Sequence, residues 1–158
     1  MTKDELKAYI AYRYGDRMTP SELGRYDLLY VAEASTFKEL ARALRDDDQL
    51  KFDHLLNVGG IDTKERFEVI YNLGSIAKNH RIDIKLSLPY ENAAVDSVQE
   101  IWPGANWFER EMWELYGIDV RGHNNLKRFL LPDDWNQGHP MRKNWTAPDF
   151  IKLPEVGA

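Results

Sequence analysis

Arg81-Ile82-Asp83-Ile84-Lys85-Leu86-Ser87-Leu88 alternates polar and aliphatic residues without a break, and Pro89 stops the pattern. Successive side chains of a strand point to opposite faces, so this is a half-buried strand with Ile82, Ile84, Leu86 and Leu88 turned to a core. Arg66–Leu73 repeats the signature: Phe67, Val69, Tyr71 and Leu73 alternate with more polar positions, apart from Ile70. The two segments lie close enough to pair as an antiparallel hairpin with a longish loop. Phe52–Val58, ending at Gly59-Gly60, is a further strand candidate, and Arg25–Val31 is a short apolar run read the same way.

Helices fill the remaining patterned stretches. Thr2 and Glu5 have capping-box spacing ahead of Leu6, Tyr9 and Ile10, with Gly15 and Pro20 as the stop. Thr36 and Glu39 repeat the spacing, and Phe37, Leu40, Ala41 and Leu44 then fall on one helical face. That helix should stop at the Asp46-Asp47-Asp48 run, because acids suit a helix C-terminus poorly; the run itself is read as a solvated end. Val95, Val98, Ile101 and Trp102 fit a short helix closed by Pro103-Gly104. Asn106 and Glu109 open another, with Phe108, Met112, Leu115 and Tyr116 as its inward stripe, Arg110 and Glu114 as an i, i+4 pair, and Gly117 at C′. The element order predicts an α+β domain, a mixed and mostly antiparallel sheet with helices on one face, over residues 1–118. A long irregular C-terminal extension, 119–158, follows.

With 158 residues, 43% of them apolar, the chain is one domain with a real core. It has no apolar run of the roughly 18 residues that would span a bilayer. Asp4, Glu5 and Asp16 in the first twenty residues argue against a secretory signal peptide. Zero cysteines exclude disulfides, thiolate zinc sites and a cysteine-held iron–sulfur cluster in this chain. The net charge of −5 is uneven: residues 121–145 carry five bases (Arg121, Lys127, Arg128, Arg142, Lys143) against Asp133 and Asp134, hence +3, leaving −8 elsewhere. All five tryptophans lie at or after Trp102. An aromatic, basic end of this kind suits a partner interface, or a solvated tail folded back over the acidic body, better than disorder.

The information is concentrated in Glu109-Arg110-Glu111, Glu114-Leu115-Tyr116-Gly117, His123, Lys127-Arg128, Leu131-Pro132-Asp133-Asp134-Trp135 and Gly138-His139-Pro140-Met141-Arg142-Lys143. In order and spacing this series resembles the small peripheral-arm subunit of the NADH:quinone oxidoreductases, the respiratory complex I type. It departs modestly at Asn124, Phe129 and Asn144-Trp145. The resemblance implies a scaffold protein without an active site, holding no flavin, cluster or quinone; iron–sulfur clusters and flavin are expected on partner subunits. It implies that the extension wraps over the hydrogenase-like large subunit near the quinone-reducing module, on the cytoplasmic side of a membrane complex. Related subunits occur in energy-converting hydrogenases, deazaflavin-linked dehydrogenases and the photosynthetic ferredoxin–plastoquinone complex.

Other chemistries have weaker support. Glu111, Glu114 and His123 could serve a metal- or carboxylate-dependent enzyme, but no histidine stands at the helical spacing of an EXXH pair. His123 and His139 each follow a glycine, and His139 precedes Pro140, which points to turn geometry rather than proton shuttling. Arg142-Lys143 beside Trp145 could stack on a nucleic acid, yet a pI near 5.4 and only two adjacent basic pairs argue against it. Tryptophan and arginine are instead favoured at the centres of protein interfaces.

Overall fold

The computed structural model describes residues 1–21 and 28–149. In chain order it contains α1 (Lys3–Tyr14), β1 (Met18–Pro20), β2 (Leu29–Ala32), a 3₁₀ turn (Ala34–Thr36), α2 (Phe37–Asp46), β3 (His54–Asp62), β4 (Arg66–Ser75), β5 (His80–Pro89), β6 (Ala94–Asp96), α3 (Ala105–Tyr116) and β7 (Asp119–Arg121). Five strands form one sheet in the order β1-β2-β5-β4-β3, and β6 and β7 form a separate pair. Within the large sheet only β2 and β5 run parallel. The fold is therefore α+β with a mostly antiparallel sheet, as the patterning predicts.

The hairpin of β4 and β5 is its centre. Phe67 faces Leu88, Val69 faces Leu86, Tyr71 faces Ile84 and Leu73 faces Ile82, so the two alternating patterns are in register. These residues join Leu6, Ile10 and Tyr14 of α1, the Phe37, Leu40, Ala41 and Leu44 stripe of α2, and Met112 of α3 in a single core. Each large aliphatic or aromatic side chain buried there contributes about 1.5–3 kcal/mol. The opposite face of the sheet is polar: Asn57 donates to Asn72 (3.2 Å), Asn72 to Asp83 (2.5 Å), and Lys85 to Glu68 (3.2 Å).

Several local expectations are revised. The Thr2 capping box forms, Thr2 N donating to Glu5 Oε2 (2.7 Å) and Glu5 N to Thr2 Oγ1 (3.3 Å). The Thr36–Glu39 box does not, because the 3₁₀ turn before α2 takes Thr36 out of the extended conformation a capping residue needs. Gly15 ends α1, but Pro20 belongs to edge strand β1, where a missing N–H interrupts no inner ladder. Of the Arg25–Val31 run, residues 25–27 lie outside the described residues and Leu29–Val31 falls in β2. β3 runs straight through Gly59-Gly60. A Cβ at Gly60 would stand 3.0 Å from Tyr116 Cδ2, so this glycine admits α3 onto the strand rather than stopping it. Asp47 is more than a solvated end: it accepts from the hydroxyls of Tyr9 (3.0 Å) and Tyr14 (2.8 Å), tying α1 to the end of α2.

The expected helix over Val95–Trp102 is instead strand β6 followed by one turn. Val95 pairs in parallel with Val120, and only the Ile101 and Trp102 amides close back on Val98 O. The four apolar residues are buried as their spacing requires, yet long-range pairing with β7 outweighs the local period. α3 begins two residues earlier than expected, with Gly104 in place of Asn106 as its cap, so Asn106 lies inside it, reaching Gln99 (2.8 Å), and Glu109 is free for another task.

Candidate functional site

α3 carries three charged residues on its covered side: Glu109, Arg110 and Glu114 are 0%, 4% and 3% exposed. A buried charge is costly unless hydrogen-bonded, so each must have a partner. The expected Arg110–Glu114 pair is not that partner; both side chains turn to the extension. Arg110 donates from Nε to Lys127 O (2.8 Å) and from Nη2 to Arg128 O (3.1 Å). Glu114 accepts the next three amides, those of Phe129 (3.3 Å), Leu130 (3.1 Å) and Leu131 (2.6 Å). One cation thus takes two carbonyls and one anion takes the three amides that follow. The Arg110 guanidinium also lies 4.8 Å from the Trp107 ring centre and 4.7 Å from that of Phe129.

The Gly138–Lys143 segment does a different job on the same helix. The last four carbonyls of an α-helix lack intrahelical partners. Here Trp113 O receives the Gly117 amide, Glu114 O faces His139 Nδ1 (3.0 Å), Leu115 O receives the Met141 amide (3.1 Å), and Tyr116 O receives Arg142 Nε (2.6 Å). The motif is a helix cap supplied from more than twenty residues away, and Arg142 suits the negative end of the helix dipole. Gly117 adopts a left-handed φ of 70°, as its expected C′ role demands. The Arg142 guanidinium stacks 5.2 Å from the Phe67 ring, and the Lys143 amide donates to Asp62 Oδ2 (2.8 Å). Asp62 also accepts from the Lys64 amide (2.6 Å) and the Tyr90 hydroxyl (3.0 Å). Burial pushes its carboxyl up, but these hydrogen bonds outweigh it and the net shift is downward.

Glu109 anchors the other end of α3. It accepts from Ser97 Oγ (2.6 Å) and the Val98 amide (2.7 Å), fixing the turn after β6. His123 Nε2 lies 3.9 Å away. His123 Nδ1 accepts from the Asn125 amide (3.0 Å), leaving Nε2–H to donate to Asn106 O (3.2 Å). Burial raises the Glu109 carboxyl above the usual glutamate range, against the opposing pull of Ser97, Val98 and Lys38. A raised acid favours its protonated form when folded. The chain should therefore lose stability as pH rises from the ordinary glutamate value through the Glu109 titration. Glu109→Gln, which keeps an acceptor without titrating, should flatten that part of the profile; urea midpoints between about pH 4 and 7 check it. Identical slopes for both proteins would show that folding does not shift the Glu109 carboxyl.

The remaining motif residues divide. Trp135 packs against Trp145 at 6.1 Å and donates to Gly138 O (2.7 Å), bracing the extension internally. Pro132 and Pro140 shape turns: the Trp135 amide closes on Pro132 O, and the Arg142 amide on His139 O beside Pro140. Arg128 donates to Asp133 O (3.2 Å). Glu111, Lys127 and Lys143 are exposed. Glu111 and Glu114, suggested as joint ligands, are separated by burial, with Glu114 occupied by amides and His123 at the Glu109 end. Among the described residues no three His, Cys, Asp or Glu side chains gather as a metal site. Asp62, Tyr90 and Ser97 carry no signal in the sequence; Asp62 sits 81 positions from Lys143, and nothing local links them. Asp119–Arg121, the first residues of the extension, form β7 and so belong structurally to the body.

Comparison with known proteins gives a consistent picture. Residues 30–150 match the family of the respiratory-chain NADH dehydrogenase 30 kDa subunit. The corresponding NADH-quinone oxidoreductase subunit of Azorhizobium caulinodans is 46% identical over 155 residues, 96% of this chain and 72% of that protein. Its counterpart from Roseiflexus castenholzii is 42% identical over 82% of this chain and 75% of that protein. A trypsin-resistant fragment of Nqo5 superposes with TM-score 0.64 at 27% identity, covering 79% of this chain and all of the fragment. A chain of the archaeal membrane-bound sulfane sulfur reductase shares the fold, with TM-score 0.77 at 18% identity and 98% coverage of both chains. With a family match spanning most of its length and relatives this similar, the chain belongs to the 30 kDa subunit family of the respiratory-chain NADH dehydrogenases.

Proposed function

We propose that the chain is a scaffold protein in the peripheral arm of a proton-pumping NADH:quinone oxidoreductase, or of a related energy-converting complex. It docks through its extension onto the hydrogenase-like large subunit near the quinone-reducing module. Electrons travel through flavin and iron–sulfur clusters of neighbouring subunits, and this chain contributes by holding those neighbours at fixed spacing on the cytoplasmic side of the membrane. No helix among the described residues is long and apolar enough to cross a bilayer, in keeping with peripheral attachment.

The observation carrying this reading is the use to which the motif is put. Glu109, Arg110, Glu114, His139 and Arg142 all grip the chain's own backbone, which is the work of a frame that positions a surface. Removal of residues 123–158 keeps β7 and tests the reading. The truncated body should retain its circular dichroism spectrum, as the trypsin resistance of the Nqo5 fragment suggests, and lose stable co-purification with the large subunit. A truncated body that still co-purifies would place the docking surface elsewhere. One that fails to fold would make the extension part of the core.

A further inference from the structure

Loops usually bury their apolar side chains and leave backbone groups to water. The 127–131 segment does the reverse. Arg110 draws two of its carbonyls inward and Glu114 draws three of its amides inward. With the backbone bound to the body, the side chains are left outside: Phe129 is 36% and Leu130 52% exposed. Trp107, 58% exposed on α3, meets Phe129 edge-on at 5.1 Å, and the Arg110 guanidinium lies against both rings. The result is an exposed aromatic pair, Trp107 and Phe129, with exposed Leu130 next to Phe129 in the chain and the backbone of all of them tied to the body. Patches of this kind on a protein surface mark interaction sites, and tryptophan beside arginine is typical of their energetic centres. Because the segment is fixed before binding, association would cost little ordering entropy.

The surroundings narrow the occupant. Residues 121–145 carry +3 while the rest of the chain carries −8, and exposed Lys127 stands two positions before Phe129. We propose that Trp107, Phe129 and Leu130 seat an apolar protrusion of the hydrogenase-like large subunit, ringed by carboxylates, with Lys127 pairing at the rim. This rests on the docking proposed above and names its contact.

Full-length chain and purified large subunit are the materials of the test, a titration at several salt concentrations. Leu130→Asp and Trp107→Ala should each weaken binding by roughly 30-fold or more, as central anchors do, while Lys127→Glu costs a few-fold that high salt erases. Urea midpoints of the isolated Leu130→Asp and Lys127→Glu variants should match the parent, since both side chains are exposed, whereas Trp107→Ala should fall slightly through its lost contacts with Phe129 and Arg110. If the parent binds and the Leu130 and Trp107 variants bind within about twofold of it, the patch is not the contact, although docking on the large subunit stands. If the parent does not bind at all, the docking reading itself fails. If the midpoints fall in step with affinity, the patch is structural. If the parent self-associates in sedimentation and Leu130→Asp abolishes this without affecting binding to the large subunit, the occupant is a second copy. Each of these last three outcomes also overturns the proposal.

Discussion

Glu114→Ala should destabilise the folded chain by roughly 3–5 kcal/mol, because three amides of the extension would lose one buried, charged acceptor. Glu114 is 3% exposed and accepts three consecutive amides of the extension. A hydrogen bond to a charged acceptor contributes about 1.5–3 kcal/mol, so three sharing one carboxylate set the upper end. Rehydration of the loosened segment sets the lower. The same substitution should free the segment around Phe129 to protease while leaving the sheet intact. Glu114→Gln keeps one acceptor but directs an NH₂ group at an N–H, and should fall between. Urea unfolding and limited proteolysis read both effects. A midpoint change near zero for Glu114→Ala would mean that the extension is held by its other contacts, at Arg110, Asp62 and the end of α3. A double-mutant cycle with Arg110→Ala adds a check, since two side chains gripping one segment should not act independently.

Gly117→Ala should be almost as damaging, for a different reason. The left-handed backbone at φ 70° costs a residue with a Cβ roughly 1–2 kcal/mol. The new methyl would also overlap the His139 ring and stand 2.7 Å from Arg142 Nη2. His139 and Arg142, two of the three extension residues that cap α3, would have to lift, exposing its terminal carbonyls. Gly122 offers an internal control: its φ is 74°, and a Cβ there would meet nothing within 4 Å. Gly122→Ala should therefore show the backbone cost alone, and the difference between the two alanine variants measures how tightly the extension sits. Equal losses at both positions would show that His139 and Arg142 move aside freely.

The sheet was legible where both periods and neighbours agreed. The alternation in 82–88 and 67–73 predicts two strands, their closeness in sequence predicts a hairpin, and the structure pairs them in the matching register. The stripe of α2 and the Thr2 capping box are likewise local, needing only residues within one or two turns. Local pattern failed where a distant segment decided the conformation. Val95–Trp102 has a helical spacing of apolar residues, but β7 lies alongside and takes Val95 into a strand. Gly59-Gly60 looks like punctuation until Tyr116 is seen lying over it.

The site shows the same division. The motif residues could be picked out by their series, and Gly117 by its place after a helix. Their partners could not, because Arg110 and Glu114 stand at a spacing that suggests a mutual pair while a segment some sixteen residues downstream of Glu114 outcompetes it. The partners are backbone groups, which carry no sequence signature. Asp62 holding the Lys143 amide is the extreme case, joining the end of β3 to a residue 81 positions further along the chain.

The borrowed cap on α3 also bears on how the chain is made. Translation delivers α3 well before His139, Met141 and Arg142, so a nascent chain still held at that point by the ribosome carries a helix whose final carbonyls face water. Only after the last of these residues clears the exit tunnel can the helix end be closed. The closed helix end therefore exists only on a polypeptide synthesised past Arg142, and one terminated before it would leave those carbonyls to water.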